Sequence, residues 1–119
     1  MTIKPYYTYR ALVVSVYDGD TCTVDIDLGM GVWVRGEKIR LYRINTPEVR
    51  GDQREDGLIS RDRLRELIDG KSIILETIRD KKGKYGRYLG EIWLETEGGD
   101  PVNINDLLVS EGLAEYKDY

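Results

Sequence analysis

Two acidic residues flank a glycine in the segment 18–21 (DGDT), where the chain is expected to turn. Such a turn can present carboxylates to a divalent cation, because hard cations prefer oxygen ligands. The segment is not an EF-hand loop, since Cys22 stands where a third oxygen ligand belongs. Taken alone, Asp18 and Asp20 are better explained by turn geometry, which favours Asp and Gly.

A second group of polar residues lies in the segment 40–48 (RLYRINTPE). Pro47 stiffens the chain next to Glu48, so that this carboxylate can be held in one place, as a general base requires. Arg40 can bind phosphate oxygens through two parallel hydrogen bonds. The simpler interpretation is a surface arginine and a loop glutamate in a chain of which 34% of the residues are charged.

The segment 84–87 (KYGR) is the third candidate. The glycine before Arg87 would let that side chain approach an anion closely, and Tyr85 could stack on a base for about 1–3 kcal/mol. Lys84 belongs to a basic run, residues 79–87, in a chain whose net charge is −4. This combination favours brief contact with a polyanion over firm retention. A solvated hairpin loop explains the same residues equally well.

Strands and helices between these segments must position them. Alternating apolar and polar residues predict half-buried strands, and β-branched and aromatic residues predict a strand at 9–17. The spacing of Ser60, Leu64, Leu67 and Ile68 predicts one buried helical face. Gly70 is expected to end that helix, and Asn105 to cap a shorter one. The predicted strands are 9–17, 21–28, 32–44 with a break near Gly36, 71–79 and 88–96, and the predicted helices are 57–69 and 105–111.

Three strands, a helix, two strands and a short helix follow the order of an OB-type barrel, although alternation alone does not choose between barrel types. The expected fold class is α+β, mainly β: a five-stranded OB-fold barrel with one main helix after strand 3 and a short helix near the C-terminus. The 119 residues fit one domain, residues 1–119, with its core at about 9–114.

Missing residue types and segments narrow the chemistry. The chain has no histidine, which excludes catalysis by a histidine side chain and a zinc site built on imidazole. Cys22 is the only cysteine, so no internal disulfide can form. Residues 1–10, with Lys4 and Arg10, do not read as a signal peptide, and no apolar run is long enough to span a membrane. We expect no membrane partner and a cytoplasmic protein, or one secreted after a leader is trimmed away.

The order of the motifs resembles that of the thermonuclease (staphylococcal nuclease) family. DGDT comes first, followed by RL and INTPE two residues apart, then KYGR, and finally VSEGLA after the second helix. The resemblance covers roughly residues 9–114. It implies a five-stranded OB-type barrel and a calcium-dependent endonuclease that hydrolyses phosphodiester bonds of DNA, RNA or both.

For the metal, the resemblance implies that Asp20 supplies a carboxylate ligand and Thr46 its backbone carbonyl. Asn45 stands where the best-known members have a second aspartate, so that one negative charge is missing. Because calcium affinity depends on ligand charge, we expect weaker calcium binding or a tolerance for other divalent ions.

For the reaction, the resemblance implies that Arg40 and Arg87 bind the phosphate and that Glu48 is the general base. Tyr85 matches a tyrosine that lines the nucleotide pocket, and Lys84 beside it is expected to contact the substrate. No strong acid for the leaving oxygen is evident, so Arg87 or a water molecule would serve.

The chain also departs from the family pattern. The hairpin of the second and third strands is longer than in the best-known members. The usual C-terminal helix has no counterpart, so Tyr116 and Tyr119 are not matched to nucleotide-stacking tyrosines. These departures keep two alternatives open: a non-catalytic OB-fold module that binds nucleic acid or protein, and a calcium-binding barrel without a polymer substrate. The nuclease explains the joint presence of Arg40, Glu48 and Arg87 best, and we expect it to be a monomer.

Overall fold

The computed structural model describes residues 7–117, so Lys4 and Tyr119 lie outside the described range. The strands are β1 (Thr8–Asp18), β2 (Thr21–Gly29), β3 (Val32–Leu41), β4 (Ile44–Asn45), β5 (Ser72–Lys82), β6 (Tyr88–Leu94), β7 (Val102–Asn103) and β8 (Glu115–Tyr116). The helices are α1 (Arg54–Ile68) and α2 (Ile104–Ser110), and a short 3-10 turn (Gly51–Gln53) precedes α1.

Five long strands close into a barrel in the order β3-β2-β1-β5-β6. Neighbours in this order are antiparallel, and β3 also pairs with β6 in parallel, which completes the closure. This confirms the predicted fold class, a mainly β, OB-type barrel with one main helix and a short helix near the C-terminus. The two-residue β4 and the pairing of β4 with β8 were not predicted.

The strand register brings the candidate segments to one end of the barrel. Thr21, at the start of β2, pairs with Arg40 near the end of β3, and Arg40 pairs in turn with Leu89 of β6. The backbone N–H of Leu41 also donates to the Asp20 carbonyl at 2.8 Å. The turn between β1 and β2, the end of β3 and the start of β6 therefore meet.

Helix α1 packs against β1 through the face that the sequence predicted. Gly57, Ser60, Leu64 and Ile68 are its buried residues, and Gly70 follows with a φ of 72°. The helix begins three residues earlier than predicted. Among residues 7–117, no helix is both long and apolar enough to cross a membrane.

The third strand is not broken at Gly36 as predicted, although its pairing with β2 shifts register between Val34 and Glu37. Gly36 remains inside β3 with a φ of 73°, and its N–H donates to the Asp25 carboxylate at 2.9 Å. The strand ends at Leu41 rather than at residue 44, and Arg43 in the turn that follows has a φ of 69°. A positive φ is uncommon for a residue other than glycine and is typical of a tight turn, and here the chain turns sharply before β4.

The predicted cap of the second helix is also wrong. Asn103, not Asn105, is the N-cap of α2, and its side chain accepts from the Asp106 N–H at 2.8 Å. Asn105 is fully buried, and its amide group donates to the carbonyls of Tyr42 and Gly90 and accepts from a backbone N–H of β6. It therefore ties α2 to the barrel.

Candidate active site

The Asp20 carboxylate is the centre of a buried polar network at this end of the barrel. Asp20 is only 6% exposed. Its Oδ2 atom accepts a hydrogen bond from the Thr46 N–H at 3.0 Å and lies 3.2 Å from Nη2 of Arg40. The Thr21 hydroxyl donates to Oδ1 at 3.2 Å. The turn between β1 and β2 is thus joined to both ends of the segment 40–46.

The Arg40 guanidinium is buried and held by several acceptors of its own loop. Nη1 donates to the carbonyls of Leu41 at 2.7 Å and Ile44 at 3.0 Å. Nη2 donates to Oδ1 of Asn45 at 3.2 Å besides its ion pair with Asp20. A charge taken out of water needs such partners, because an isolated buried ion is strongly destabilising. The loop after β3 therefore folds around Arg40.

Close packing holds the Thr46 side of the network in place. A Cβ atom on Gly19 would lie 2.7 Å from Cβ of Ser60 and 2.9 Å from Oγ1 of Thr46, so only glycine fits between α1 and this loop. The Ser60 hydroxyl donates to the Leu113 carbonyl at 2.7 Å, which connects α1 to the segment after α2. The Thr46 hydroxyl oxygen is buried and has no hydrogen-bond partner within residues 7–117.

Glu48 lies on an exposed loop that α1 supports directly. Its N–H donates to the Gln53 side chain at 3.2 Å. The backbone of Glu48 and Val49 lies against Gly57 so closely that a Cβ atom there would come within 2.8 Å of the Val49 nitrogen. The carboxylate borders a cavity of about 270 Å³ lined by Tyr17, Asp18, Glu48, Val49 and Arg50.

Arg87 approaches the network from the start of β6. Its Nη1 atom donates to the Thr21 hydroxyl at 3.3 Å, and Thr21 donates in turn to Asp20. The guanidinium carbon lies 5.3 Å from the centre of the Tyr85 ring, and Nζ of Lys84 lies 5.4 Å from the same ring. Tyr85 itself is 72% exposed, so its outer face is open to a ligand.

Two carboxylates on the first turn crowd one another. Burial, and then the charge of Asp20, raise the pKa of Asp18 from 3.8 to about 6. The Oδ1 atom of Asp18 accepts the Asp20 N–H at 3.0 Å, which opposes the shift without cancelling it. A cation bound beside this turn would relieve the repulsion.

Oxygen atoms of different kinds are available for such a cation. Asp20 offers a carboxylate, Asn45 an amide oxygen, and Thr46 a backbone carbonyl and an unpartnered hydroxyl. Within the described part of the chain, no three acidic, cysteine or histidine side chains form a ready-made metal cluster. A bound ion would therefore depend on these mixed donors and on water, a donor set that suits a hard cation such as calcium.

Comparisons with known proteins bear on the same residues. A family model described as "Staphylococcal nuclease homologue" matches residues 38–119. The chain belongs to this family. It is 32% identical to the thermonuclease of Staphylococcus intermedius over 111 residues, which cover 91% of the chain and 60% of that protein. It is 30% identical to the thermonuclease of Staphylococcus hyicus over 115 residues, again with 60% of that protein covered. The chain thus spans about 60% of the length of these two relatives.

Most of the residues singled out in the sequence lie together in this staphylococcal nuclease homologue. Asp20, Arg40, Asn45 and Thr46 contact one another directly, and Arg87 joins them through Thr21. The Tyr85 ring contacts the Arg87 guanidinium, and the Lys84 ammonium group contacts the same ring. Glu48 follows on the same loop and borders the neighbouring cavity together with Asp18.

Thr21 belongs to this network, although the sequence did not single it out. The alternation of residues 21–28 predicted Thr21 only as a polar strand position, yet it is 6% exposed and bridges Asp20 to Arg87. Its position opposite Arg40 explains this role, and that register cannot be read from the sequence. The family match begins at Lys38, so it includes Arg40, Glu48 and Arg87 but not the first turn.

Proposed function

We propose that this single-domain barrel is a metal-dependent nuclease that hydrolyses phosphodiester bonds of DNA, RNA or both, with calcium or another divalent cation as its ion. The proposal is carried by one observation: Asp20 and Arg40 form a buried pair to which Thr46 and, through Thr21, Arg87 are hydrogen-bonded. Carboxylate and guanidinium groups beside each other suit a cation and a phosphate. Membership of the staphylococcal nuclease homologue family and similarity to two thermonucleases add support.

In this proposal Asp20, Asn45 and the Thr46 carbonyl would hold the ion. A divalent ion, when bound, supplies positive charge to the phosphoryl oxygens. The Arg87 guanidinium, anchored on Thr21, donates to one of those oxygens. Arg40 gives up an acceptor of its own loop and donates to a second phosphoryl oxygen instead. This is possible because a guanidinium carries five N–H donors.

Glu48 takes the proton from the attacking water, whose oxygen bonds to phosphorus while the bond from phosphorus to the leaving oxygen breaks. Arg87 or a second water molecule protonates that leaving oxygen. The Glu48 loop is fixed by the Gln53 hydrogen bond and by contact with Gly57, so the backbone that carries this exposed carboxylate has a defined position. General-base catalysis of this kind contributes roughly 10²–10⁴ to the rate. Tyr85, 72% exposed beside Arg87, provides a face on which a base can stack.

The alternative is a non-catalytic module that binds nucleic acid. Two observations favour it: Asn45 lacks the charge of a second aspartate, and the net charge of −4 opposes tight binding of a polyanion. Such a module would bind oligonucleotides in a salt-dependent way and release no product.

Cleavage of a labelled single-stranded DNA distinguishes the two functions. We expect turnover with calcium, loss of turnover with a chelator, and a roughly 10²–10⁴-fold lower rate for Glu48→Gln. Glu97→Gln, on an exposed turn between β6 and β7, is the matched control and should cleave like the wild type. Full activity of Glu48→Gln, or no turnover with any divalent ion, would contradict the proposal.

A further inference from the structure

We infer that Tyr17 and Arg50 form a second nucleotide-binding subsite, beside Glu48 and on elements of the fold other than those that carry Tyr85. This inference rests on the proposed nuclease function and extends it. The base of one nucleotide would stack on the Tyr17 ring, and the adjoining phosphate would bind the Arg50 guanidinium. The substrate would then be held by two aromatic and guanidinium pairs rather than by one.

The cavity beside Glu48 supports the inference. It has a volume of about 270 Å³, and Tyr17 and Arg50 border it together with the carboxylates of Asp18 and Glu48. Tyr17 is 55% exposed although it lies on β1, and Arg50 is also exposed. An aromatic ring and a guanidinium thus stand open to solvent beside the proposed general base.

Contacts between the two side chains give the subsite a defined shape. Nη2 of Arg50 donates to the Tyr17 hydroxyl at 3.1 Å. Within residues 7–117 this is the one hydrogen bond of the Arg50 side chain, so the rest of its donors can meet a phosphate. A nucleobase that stacks on Tyr17 contacts the face of the ring, so it does not compete with Arg50 for the Tyr17 hydroxyl.

Neighbouring residues hold in place the two backbone segments that carry Tyr17 and Arg50. Tyr17 precedes Asp18, whose carboxylate is fixed by the Asp20 N–H. Arg50 ends the loop that α1 holds in place, and the next residue, Gly51, has a φ of 72° that starts the 3-10 turn.

Electrostatics favours a nucleotide over free phosphate as the ligand. Asp18 and Glu48 border the same cavity and repel an anion that brings no other contact. A nucleotide adds the stacked base to the Arg50 contact. The arrangement repeats the chemistry at the start of β6, where Tyr85 lies beside Arg87, but it uses different elements of the fold.

Binding measurements test the subsite without relying on turnover. Fluorescence anisotropy of a labelled, non-cleavable single-stranded oligonucleotide is measured with calcium in the slow-cleaving Glu48→Gln background. Tyr17→Ala should weaken binding by about 5- to 150-fold, the range that corresponds to 1–3 kcal/mol of stacking, whereas Tyr17→Phe and Tyr17→Trp should bind within about threefold of the parent. Arg50→Gln should lower the salt slope by about one charge.

Trp33→Ala is the matched control, because Trp33 is 40% exposed on β3 at the opposite end of the barrel. It should leave affinity unchanged. Oligonucleotides with one abasic position then locate the subsite, because removal of a stacked base lowers the affinity. The loss of affinity at one position should vanish in Tyr17→Ala, and the loss at a different position should vanish in Tyr85→Ala.

These outcomes separate the two proposals. A wild type that binds but never cleaves would contradict the nuclease and leave the subsite supported. Unchanged affinity in both Tyr17→Ala and Arg50→Gln, or an abasic penalty that persists in Tyr17→Ala, would overturn the subsite even in an active nuclease. If Tyr17→Ala does not fold by circular dichroism, the folded Tyr17→Ser variant replaces it, and the salt slope of Arg50→Gln decides.

Discussion

A methyl group on Gly57 would collide with the backbone that carries Glu48. Gly57 lies in the first part of α1, and a Cβ atom there would come closer than 3.0 Å to the Glu48 carbonyl and within 2.8 Å of the Val49 nitrogen. Both neighbours are backbone atoms, which cannot rotate away as a side chain can. The substitution Gly57→Ala therefore moves the proposed general base without changing any proposed catalytic side chain.

The size of the effect follows from these distances. Ordinary contact begins at 3.4 Å, so the Val49 nitrogen alone must move by about 0.6 Å and the Glu48 carbonyl by more. Misplacement of about 1 Å can reduce a rate by 10²-fold, which corresponds to about 2.7 kcal/mol in the barrier. Alanine is favoured over glycine within a helix by about 1 kcal/mol, which offsets part of the steric cost to stability.

The assay compares kcat and the thermal midpoint of unfolding for Gly57→Ala. We expect kcat to fall about 10²-fold while the midpoint changes by only a few degrees. Gly99→Ala is the matched control, because Gly99 lies on an exposed turn where the nearest atom is the Thr96 hydroxyl at 3.1 Å. A folded Gly57→Ala enzyme with wild-type kcat would refute the claim that α1 positions Glu48.

Other predictions concern the ion, the pH dependence and the cysteine. Asn45→Asp restores a negative ligand, so calorimetry should show roughly tenfold tighter calcium binding, and unchanged affinity would remove Asn45 from the metal site. The raised pKa of Asp18, about 6, means that the folded state holds this proton more tightly than the unfolded chain. The free energy of unfolding of the metal-free protein should therefore fall as pH rises from about 4 to 6, by about 1–2 kcal/mol after allowance for solvent screening. Asp18→Asn should abolish that fall in urea titrations, and a fall that persists would assign it to other groups. Burial raises the pKa of the Cys22 thiol to about 12. Alkylation should thus be slow and accelerate only with unfolding in urea; rapid labelling of the native protein would show that the barrel opens there.

The barrel could be predicted largely because its signals are local. Alternation identified the long strands, and the spacing of Ser60, Leu64 and Ile68 identified the buried face of α1. The sequence did not show that β2 is buried on both faces, where Asp25 is only 9% exposed and binds Arg35 and the Gly36 N–H. That burial depends on how the long hairpin bends around it.

The Asn105 error has a similar cause. An asparagine at the start of an apolar helical run is a typical cap, and local reasoning gives no way to prefer Asn103. The choice is made by distant backbone groups: the Asn105 amide group satisfies partners at Tyr42, Gly90 and Ile92, which become neighbours only when the barrel closes.

The candidate site, too, could be predicted from the sequence only in part. Motif order singled out Asp20, Arg40 and Arg87, but it could not show that Arg40 is buried or that its guanidinium binds carbonyls of its own loop. Nor could it find Thr21 as the bridge to Arg87, because that contact depends on the pairing of β2 with β3. Residue types suggested the chemistry, and strand register determined the contacts.

The central claim is that one pocket binds both a cation and a phosphate. It is tested most directly by measuring whether each ligand changes the affinity of the protein for the other. A non-cleavable single-stranded oligonucleotide is titrated into the protein with and without calcium, while amide chemical shifts are followed by NMR. We expect calcium to tighten oligonucleotide binding at least tenfold, the oligonucleotide to tighten calcium binding by the same factor, and both ligands to shift the amides of Asp20, Thr46 and Arg87. Independent affinities, or shifts on separate parts of the barrel, would contradict the account.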